Sequence, residues 1–380
     1  MPPFTQRVSH LEPEGAYAVL AKSQALEAKG REIIHFEIGE PDFSTYPNIA
    51  LAGIQAISNG KTRYNPPSGV PALRQVLAKV AGQQRGVKFT QEQVVIGPGT
   101  KPLMILPMLA LLEPGDEVIY PDPGFPSYSA AIGIAGATPI TVPLLEKHNF
   151  DLDLDALDTL ISPKTRMIII NSPSNPTGSV FSAETMAHLA DVAIKNDLWI
   201  TTDEIYSRFV YDGDAPSIIS LPGMSERTVI ADGFSKAYAM TGWRLGYGLM
   251  PESLADRIGL LLTHSVGCTA TFTQYAGLEA VLGPQDAVNA VRAEFQRRRD
   301  LIVKRLNDIP GVECLMPHGA FFAFPNVQSF KKSSAELANY LLEEAGVAVL
   351  SGTDFGRYGE GYLRLSYTNS LENIHKGLDA

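Results

Sequence analysis

Lys236 stands in GFSKAYAMTGWRLGY (residues 233–247), among small and aromatic residues, with Arg244 eight positions further on. A lysine held in an apolar pocket loses its proton near neutral pH, and the free amine can attack a carbonyl to form a Schiff base. A carbonyl cofactor with a pyridine ring needs a partner for its protonated nitrogen, and a buried carboxylate in turn needs a cation. Asp203, in LWITTDEIY (198–206), is the candidate carboxylate. On position alone it could equally cap the helix after its strand. Arg244 has the same double reading, a guanidinium for an anion or a surface charge on a helix.

Three strand-like runs end in polar residues that a plain connection does not need. RMIII ends in NSPSNPTG with Asn171 and Asn175, LWITT in DEIY with Asp203 and Tyr206, and TVIADG in FSK with Ser235 and Lys236. Ligands of open α/β sheets bind beyond the carboxyl ends of the strands, so three such ends predict one shared crevice. VVIGPGTKPLMIL (94–106) adds a loop between strand and helix, where the N–H groups of Gly99 and Thr100 would face an anion. It lacks the third glycine of a dinucleotide fingerprint and the Gly-Lys-Ser/Thr of a P-loop. Lys101 follows directly, placed either to add charge near a phosphate or to meet a distal carboxylate of a substrate. PDPGFPSYSA (121–130) carries Phe125, a candidate to cover one face of a flat ring, and Tyr128, read as a core residue.

The elements that must position these residues follow from the apolar pattern. Short runs (VVIG, EVIYPDP, RMIIINSP, LWITTDE, TVIADGFS) alternate with helix-length segments, which predicts a mostly parallel sheet covered by helices in three layers, an α/β fold. YAVLAKSQALEAKG (17–30) has helical spacing, and REIIHFEIGEPDF (31–43) reads as a strand running into a turn. QDAVNAVRAEFQRRRDLIVKRLND (285–308) reads as a long polar helix, followed by AFFAFP, SAELANYLLEEAG, VAVLSG and YLRLSY. The expected division is an arm and part of a small domain (1–47), a large domain (48–284) and the rest of a smaller α+β domain (285–380), which is built from both chain ends.

The 380 residues suffice for two lobes, and 45% hydrophobic with 19% charged residues is a globular balance. A net charge of −10 argues against nucleic acid as a partner, which calls for a clustered basic surface. Cys268 and Cys314 lie far apart and form no CxxC pair, so neither a metal site nor a disulfide framework is expected. The start, MPPFTQRVSHLEPEG, lacks a signal peptide's apolar core, and the longest apolar run, PLMILPMLALL (102–112), is broken by proline and too short to span a bilayer. A cytoplasmic protein without membrane association is the expectation.

FEIGEPDF, YNPPSGVPALR, GPGTKP, PGFPSY, NSPSNPTG, DEIY, FSKAYAMTGWRLGY and YLRLSY occur in that order over nearly the whole chain. Together they resemble the pyridoxal-phosphate-dependent aminotransferases of class I, fold type I, in the branch that includes many bacterial aspartate aminotransferases. The resemblance implies pyridoxal 5'-phosphate as cofactor, with Lys236 as its Schiff-base lysine and proton carrier. It implies Asp203 at the pyridine nitrogen, and Asn175 and Tyr206 at the phenolic oxygen. Gly99, Thr100 and Arg244 would contact the phosphate, with Lys101 near it; Ser235, next to the lysine, is a further cofactor-binding candidate, and Phe125 would lie against the ring. Tyr64 would reach the phosphate of a neighbouring subunit in a homodimer. For the substrate it implies Arg364 as a fork on the α-carboxylate, Gly39 and Asn175 beside it, and Lys101 for acidic side chains. Gly233 stands where many members carry serine, and Phe125 where tryptophan is frequent.

The function expected is ping-pong transfer of an amino group from an L-amino acid to a 2-oxo acid, with glutamate and 2-oxoglutarate as one pair. Lys236 and Asp203 would serve β-elimination or decarboxylation equally. A ligand-binding protein without catalysis on this fold is the reading from a different class, and a nicotinamide dehydrogenase is disfavoured by the missing glycine.

Overall fold

A computed structural model describes residues 5–9, 11–213 and 215–380. A short strand, β1 (Ile34–His35), precedes the main sheet strands β2 (Val94–Gly97), β3 (Glu117–Asp122), β4 (Thr138–Pro143), β5 (Thr165–Asn171), β6 (Trp199–Asp203), β7 (Thr228–Gly233) and β8 (Gly246–Leu249). The strand order is β2-β8-β7-β6-β5-β3-β4, parallel except for β8, which runs antiparallel to both β2 and β7. This is the mostly parallel α/β sheet that the alternation of apolar runs predicts.

Strand β5 shows why a near-continuous apolar run belongs there. Met167 and Ile169 pack with Met104 and Ile132, from the helices Pro102–Leu111 and Ser127–Ala135. Ile168 and Ile170 point the other way, onto Leu189 and Ala193 of the helix Ala183–Lys195. Successive side chains alternate between faces, so a strand covered on both sides must be apolar at every position. Two strands had no clear sequence signal. β4 is an edge strand, where Pro139 and Pro143 are tolerated, and β8, GYGL, has glycine at alternate positions.

The remaining strands are β9 (Phe322–Ala323), β10 (Val347–Ala348), β11 (Leu350–Ser351) and β12 (Leu363–Ser366). β10 pairs in parallel with β1, and β11-β12-β9 form an antiparallel sheet, so both chain ends build this second layer. The segment 31–43 is a strand only at Ile34–His35; beyond it the chain turns in towards the ends of the large sheet, where Ile38, Gly39 and Glu40 line a cavity. The helix Asp286–Asn307, polar by composition, buries a stripe that includes Val288, Val291, Phe295, Ile302 and Leu306. No helix among the described residues is long and apolar enough to cross a membrane.

One ion cluster holds the ends of β6 and β7 side by side. Arg85, the last residue of the helix Pro71–Arg85, donates from Nε to Glu204 at 2.7 Å and from Nη2 to Asp232 at 2.8 Å. The three side chains are 4%, 7% and 7% exposed. Tyr247 of β8 also donates to Asp232, at 2.7 Å, and Ser217 to Glu204, at 2.6 Å. Burial alone would lower the Arg85 pKa, but Glu204, Tyr247 and Asp232 outweigh it and hold the guanidinium charged. Breaking such a pair strands buried carboxylates, which typically costs about 3–5 kcal/mol. Arg85→Met should therefore lower the unfolding free energy by about that amount in urea titrations, and a loss under about 1 kcal/mol would show that the cluster is not a structural clamp.

Candidate active site

The carboxyl ends of β5, β6 and β7 open into a cavity of about 610 Å³. Lys236, Asp203, Asn175, Tyr206, Ser235, Arg244, Thr100, Lys101, Phe125, Gly39 and Arg364 all border it. Gly99 lies behind Arg244, and Tyr64 is elsewhere on the surface.

Lys236 follows β7 by three residues, and its Nζ donates to the Gly39 carbonyl at 2.6 Å. Burial lowers its pKa to about 8; Arg364 and Arg244 push the same way, against Glu40 and Asp203. Asp203 is the last residue of β6. Its Oδ1 accepts from the Ile205 N–H at 3.2 Å and its Oδ2 from the Tyr128 hydroxyl at 3.0 Å. Burial raises the Asp203 carboxyl to about 6, with Asp232 and Glu204 adding to the effect and the two hydrogen bonds opposing it.

Asn171, at the end of β5, donates to the Asp203 carbonyl at 2.9 Å and accepts from the Asn175 N–H at 2.8 Å. It thereby fixes the NSPSNPTG turn to the next strand. The buried Tyr206 ring meets Phe321 and Phe322 edge-on, at centroid distances of 5.2 and 5.6 Å, and burial raises its hydroxyl pKa.

Arg364 enters from β12, and its guanidinium lies over Phe322 at 4.6 Å. Nη2 donates to the Glu37 carbonyl and Nη1 to Asn175 Oδ1 at 3.5 Å, while Nε is buried with no partner. An orphaned buried donor costs free energy unless an acceptor arrives. Burial lowers the Arg364 pKa to about 10, opposed by Tyr206, Glu37 and Asp354. Behind it, the Glu37 carboxylate pairs with His35 Nδ1 at 2.7 Å, and that hydrogen bond leads the rise of the His35 pKa to about 9.

The loop before the helix Pro102–Leu111 differs from the expectation at one atom. The Gly99 N–H donates to the Gly97 carbonyl at 2.8 Å, so it closes the turn and does not face outward. Gly99 is needed for close approach: its φ is +90°, and a Cβ there would lie 2.3 Å from Arg244 Nη2. Arg244 itself adopts the left-handed conformation (φ 54°) after a short turn, not a helix, and donates to the Thr241 carbonyl at 2.9 Å. The Gly233 departure has a similar cause. A Cβ at residue 233 would sit 2.8 Å from Thr100 Oγ1, so the loop occupies the space a serine would fill.

Three placements correct or complete the reading of the sequence. Tyr128, read as core, is fully buried but its hydroxyl braces Asp203; the available signal was that a buried tyrosine hydroxyl needs a partner. Lys101 borders the cavity and carries a carboxylate partner of its own. Its ammonium pairs with Glu14 and lies 5.2 Å from the Phe125 ring centroid. Glu14, which sequence reasoning did not single out, precedes the helix Gly15–Glu27. Tyr64 is 98% exposed and does not border the cavity within one chain.

The model of the family "Aminotransferase class I and II" matches residues 31–380. A probable aspartate/prephenate aminotransferase of Aquifex aeolicus is 39% identical, over 99% of this chain and 96% of that protein. An aromatic-amino-acid aminotransferase 2 of Thermococcus litoralis is 38% identical, with the same coverage of 99% and 96%. The solved aspartate aminotransferase of Thermus thermophilus with maleate superposes with a TM-score of 0.96 at 35% identity, covering 100% of this chain and 98% of that one. With a lysine and a buried carboxylate at adjacent strand ends and this likeness over its full length, the chain belongs to the class I and II aminotransferases, pyridoxal-phosphate-dependent enzymes that transfer amino groups.

Proposed function

We propose that the cavity holds pyridoxal 5'-phosphate and serves amino-group transfer between an L-amino acid and a 2-oxo acid, with glutamate and 2-oxoglutarate as one pair. The observation that carries this reading is the opposed shift at neighbouring strand ends, a lysine lowered to about 8 and a carboxyl raised to about 6. Asp203 would meet the pyridine nitrogen, Asn175 and Tyr206 the phenolic oxygen, and Thr100, Ser235 and Arg244 the phosphate. Phe125 would lie beside the ring. The residues fit that group: Asp203, a buried carboxylate that borders the cavity, accepts only from the Tyr128 hydroxyl and the Ile205 N–H, and Arg244 turns its guanidinium along the Gly99 loop. When bound, the cofactor supplies an electron sink for the pair left when the substrate Cα–H bond breaks.

The chain's own groups do the rest. Arg364 offers the unpartnered Nε and its neighbouring Nη atoms to the substrate α-carboxylate, a planar fork for a planar anion. Lys236 Nζ, its pKa brought down to about 8 by burial, accepts the proton leaving the substrate α carbon. Asp203, braced by Tyr128 and Ile205, keeps its charge aimed at one atom.

A homodimer accords with Leu51, Ile54 and Ile57, all at least half exposed near Tyr64 in sequence. In that arrangement Tyr64 would contribute to the partner's cavity. Cys268 and Cys314 are unpaired, which fits a reducing cytoplasm. The relatives' names cover acidic and aromatic amino acids, and both classes are proposed as donors here.

Lys236→Ala should leave thermal unfolding near that of the parent and lower transamination of glutamate at least about 10²-fold. Borohydride reduction of the parent, but not the variant, should leave the cofactor's mass on the peptide containing residue 236; retention of normal turnover by the variant would refute the assignment. Asp203→Asn should still bind the cofactor yet lose about 10²-fold or more in kcat, because an amide cannot keep a ring nitrogen protonated. An unchanged rate would reduce Asp203 to a brace between strand ends.

A further inference from the structure

Among the described residues, four cationic side chains border the cavity: Lys101, Lys236, Arg244 and Arg364. On the function proposed above, the last three serve the cofactor and the substrate α-carboxylate. Of these four, that leaves Lys101 for a second, distal carboxylate on the substrate. That lysine is already matched. Glu14 accepts from Lys101 Nζ and, through the same Oε1, from the Ser127 hydroxyl at 2.8 Å.

The pair bridges two parts of the fold. The helix that Glu14 precedes packs through Val19 and Leu26 onto Ile33, Leu342 and Ala348, next to the paired strands β1 and β10. Lys101 and Ser127 instead lie at the starts of helices that cover the large sheet. The Glu14 carboxylate makes no capping bond to its own helix, so its hydrogen bonds are directed into the cavity. Its side chain is 24% exposed and that of Lys101 43%, and ion pairs so open to water are weak and readily exchanged. Tyr17, Leu20, Met104 and Phe125 supply the apolar part of the same wall.

We infer that Glu14 is a resident counter-carboxylate that sets side-chain selectivity by competing with dicarboxylic substrates for Lys101. An acidic amino acid must displace Glu14 from the ammonium and expose a carboxylate to water in doing so. A neutral or aromatic side chain leaves the Glu14–Lys101 pair intact and lies along the apolar wall, with no unpaired charge beside it. One pocket thus accepts both classes, and Glu14 narrows the advantage that Lys101 would otherwise give to acidic substrates.

The test uses the full-length holoenzyme. Glu14→Gln keeps the size and the hydrogen bond to Ser127 but removes the competing charge. The ratio of kcat/KM for glutamate to that for phenylalanine should rise about 10-fold, through a lower KM for glutamate. In a Lys101→Met background the same Glu14→Gln change should leave the ratio within about two-fold, because the coupling runs through that one ammonium. Succinate, a dicarboxylate that cannot react, should bind the Glu14→Gln protein more tightly by calorimetry, which reads the competition without turnover. An unchanged ratio in Glu14→Gln, equal changes for both donors, or the same gain without Lys101 would overturn the inference. Absence of amino-group transfer from any donor by the parent enzyme would instead refute the proposed reaction, with succinate affinity still deciding the role of Glu14.

Discussion

The geometry of the site depends on one guanidinium in the interior. Arg85 lies between Glu204 and Asp232, the residue after β6 and the penultimate residue of β7. Each carboxylate belongs to a strand end that also carries a site residue, Asp203 one position before Glu204 and Lys236 four positions after Asp232. A buried charge between two buried counter-charges tolerates little displacement, because any lengthening leaves a carboxylate without compensation where water cannot reach it. The strand register Asp203↔Ala231 then sets the spacing of the two ends. The clamp also has an electrostatic effect at a distance. Glu204 and Asp232 both raise the Asp203 pKa, though burial remains the larger cause.

Burial acts on Lys236 and Asp203 with opposite sign, because in each case it disfavours the charged form. The ammonium comes down to about 8 and the carboxyl goes up to about 6. The same desolvation therefore prepares a lysine able to lose its proton and a carboxylate short of a cation. Placing a cationic ring nitrogen beside Asp203 would relieve the second strain, and placing a carboxylate at the orphaned Nε of Arg364 would relieve another. Such incompletely satisfied groups are destabilising in a protein interior and useful in a binding site.

Much of this was legible from residue order. The central strands read clearly because burial on both faces demands unbroken apolar runs, as in RMIII and TVIAD. The polar residues just past those runs were conspicuous for the same reason. Other features depend on contacts that local patterns do not encode. In β8, Gly246 leaves room for the Gly99 backbone to pack against it, which no propensity reveals. The bond from Tyr128 to Asp203 joins residues 75 apart in sequence, and the pair of Lys101 with Glu14 joins residues 87 apart. Periodicity ranks a residue as inside or outside; it does not say which partner a buried hydroxyl or a half-exposed ammonium will find.

Tight packing in the corner proposed to hold the phosphate accounts for glycine at position 233, where the family resemblance implies serine in many members. Residues 99, 233 and 246 bring three backbone segments to van der Waals contact, so that Thr100 Oγ1 donates to the Asp232 carbonyl at 3.4 Å. A side chain at 233 would push this loop away from β7 and, through Asp232, disturb the carboxylate held by Arg85. The corner therefore trades one possible side-chain donor for a closer approach of backbone to backbone. On the proposed assignment Arg244, held against Gly99, would offer the phosphate a positive charge in place of a neutral hydroxyl. For a dianion, one charge-assisted guanidinium contact outweighs a neutral hydroxyl, which makes the substitution of glycine for serine compatible with anion binding.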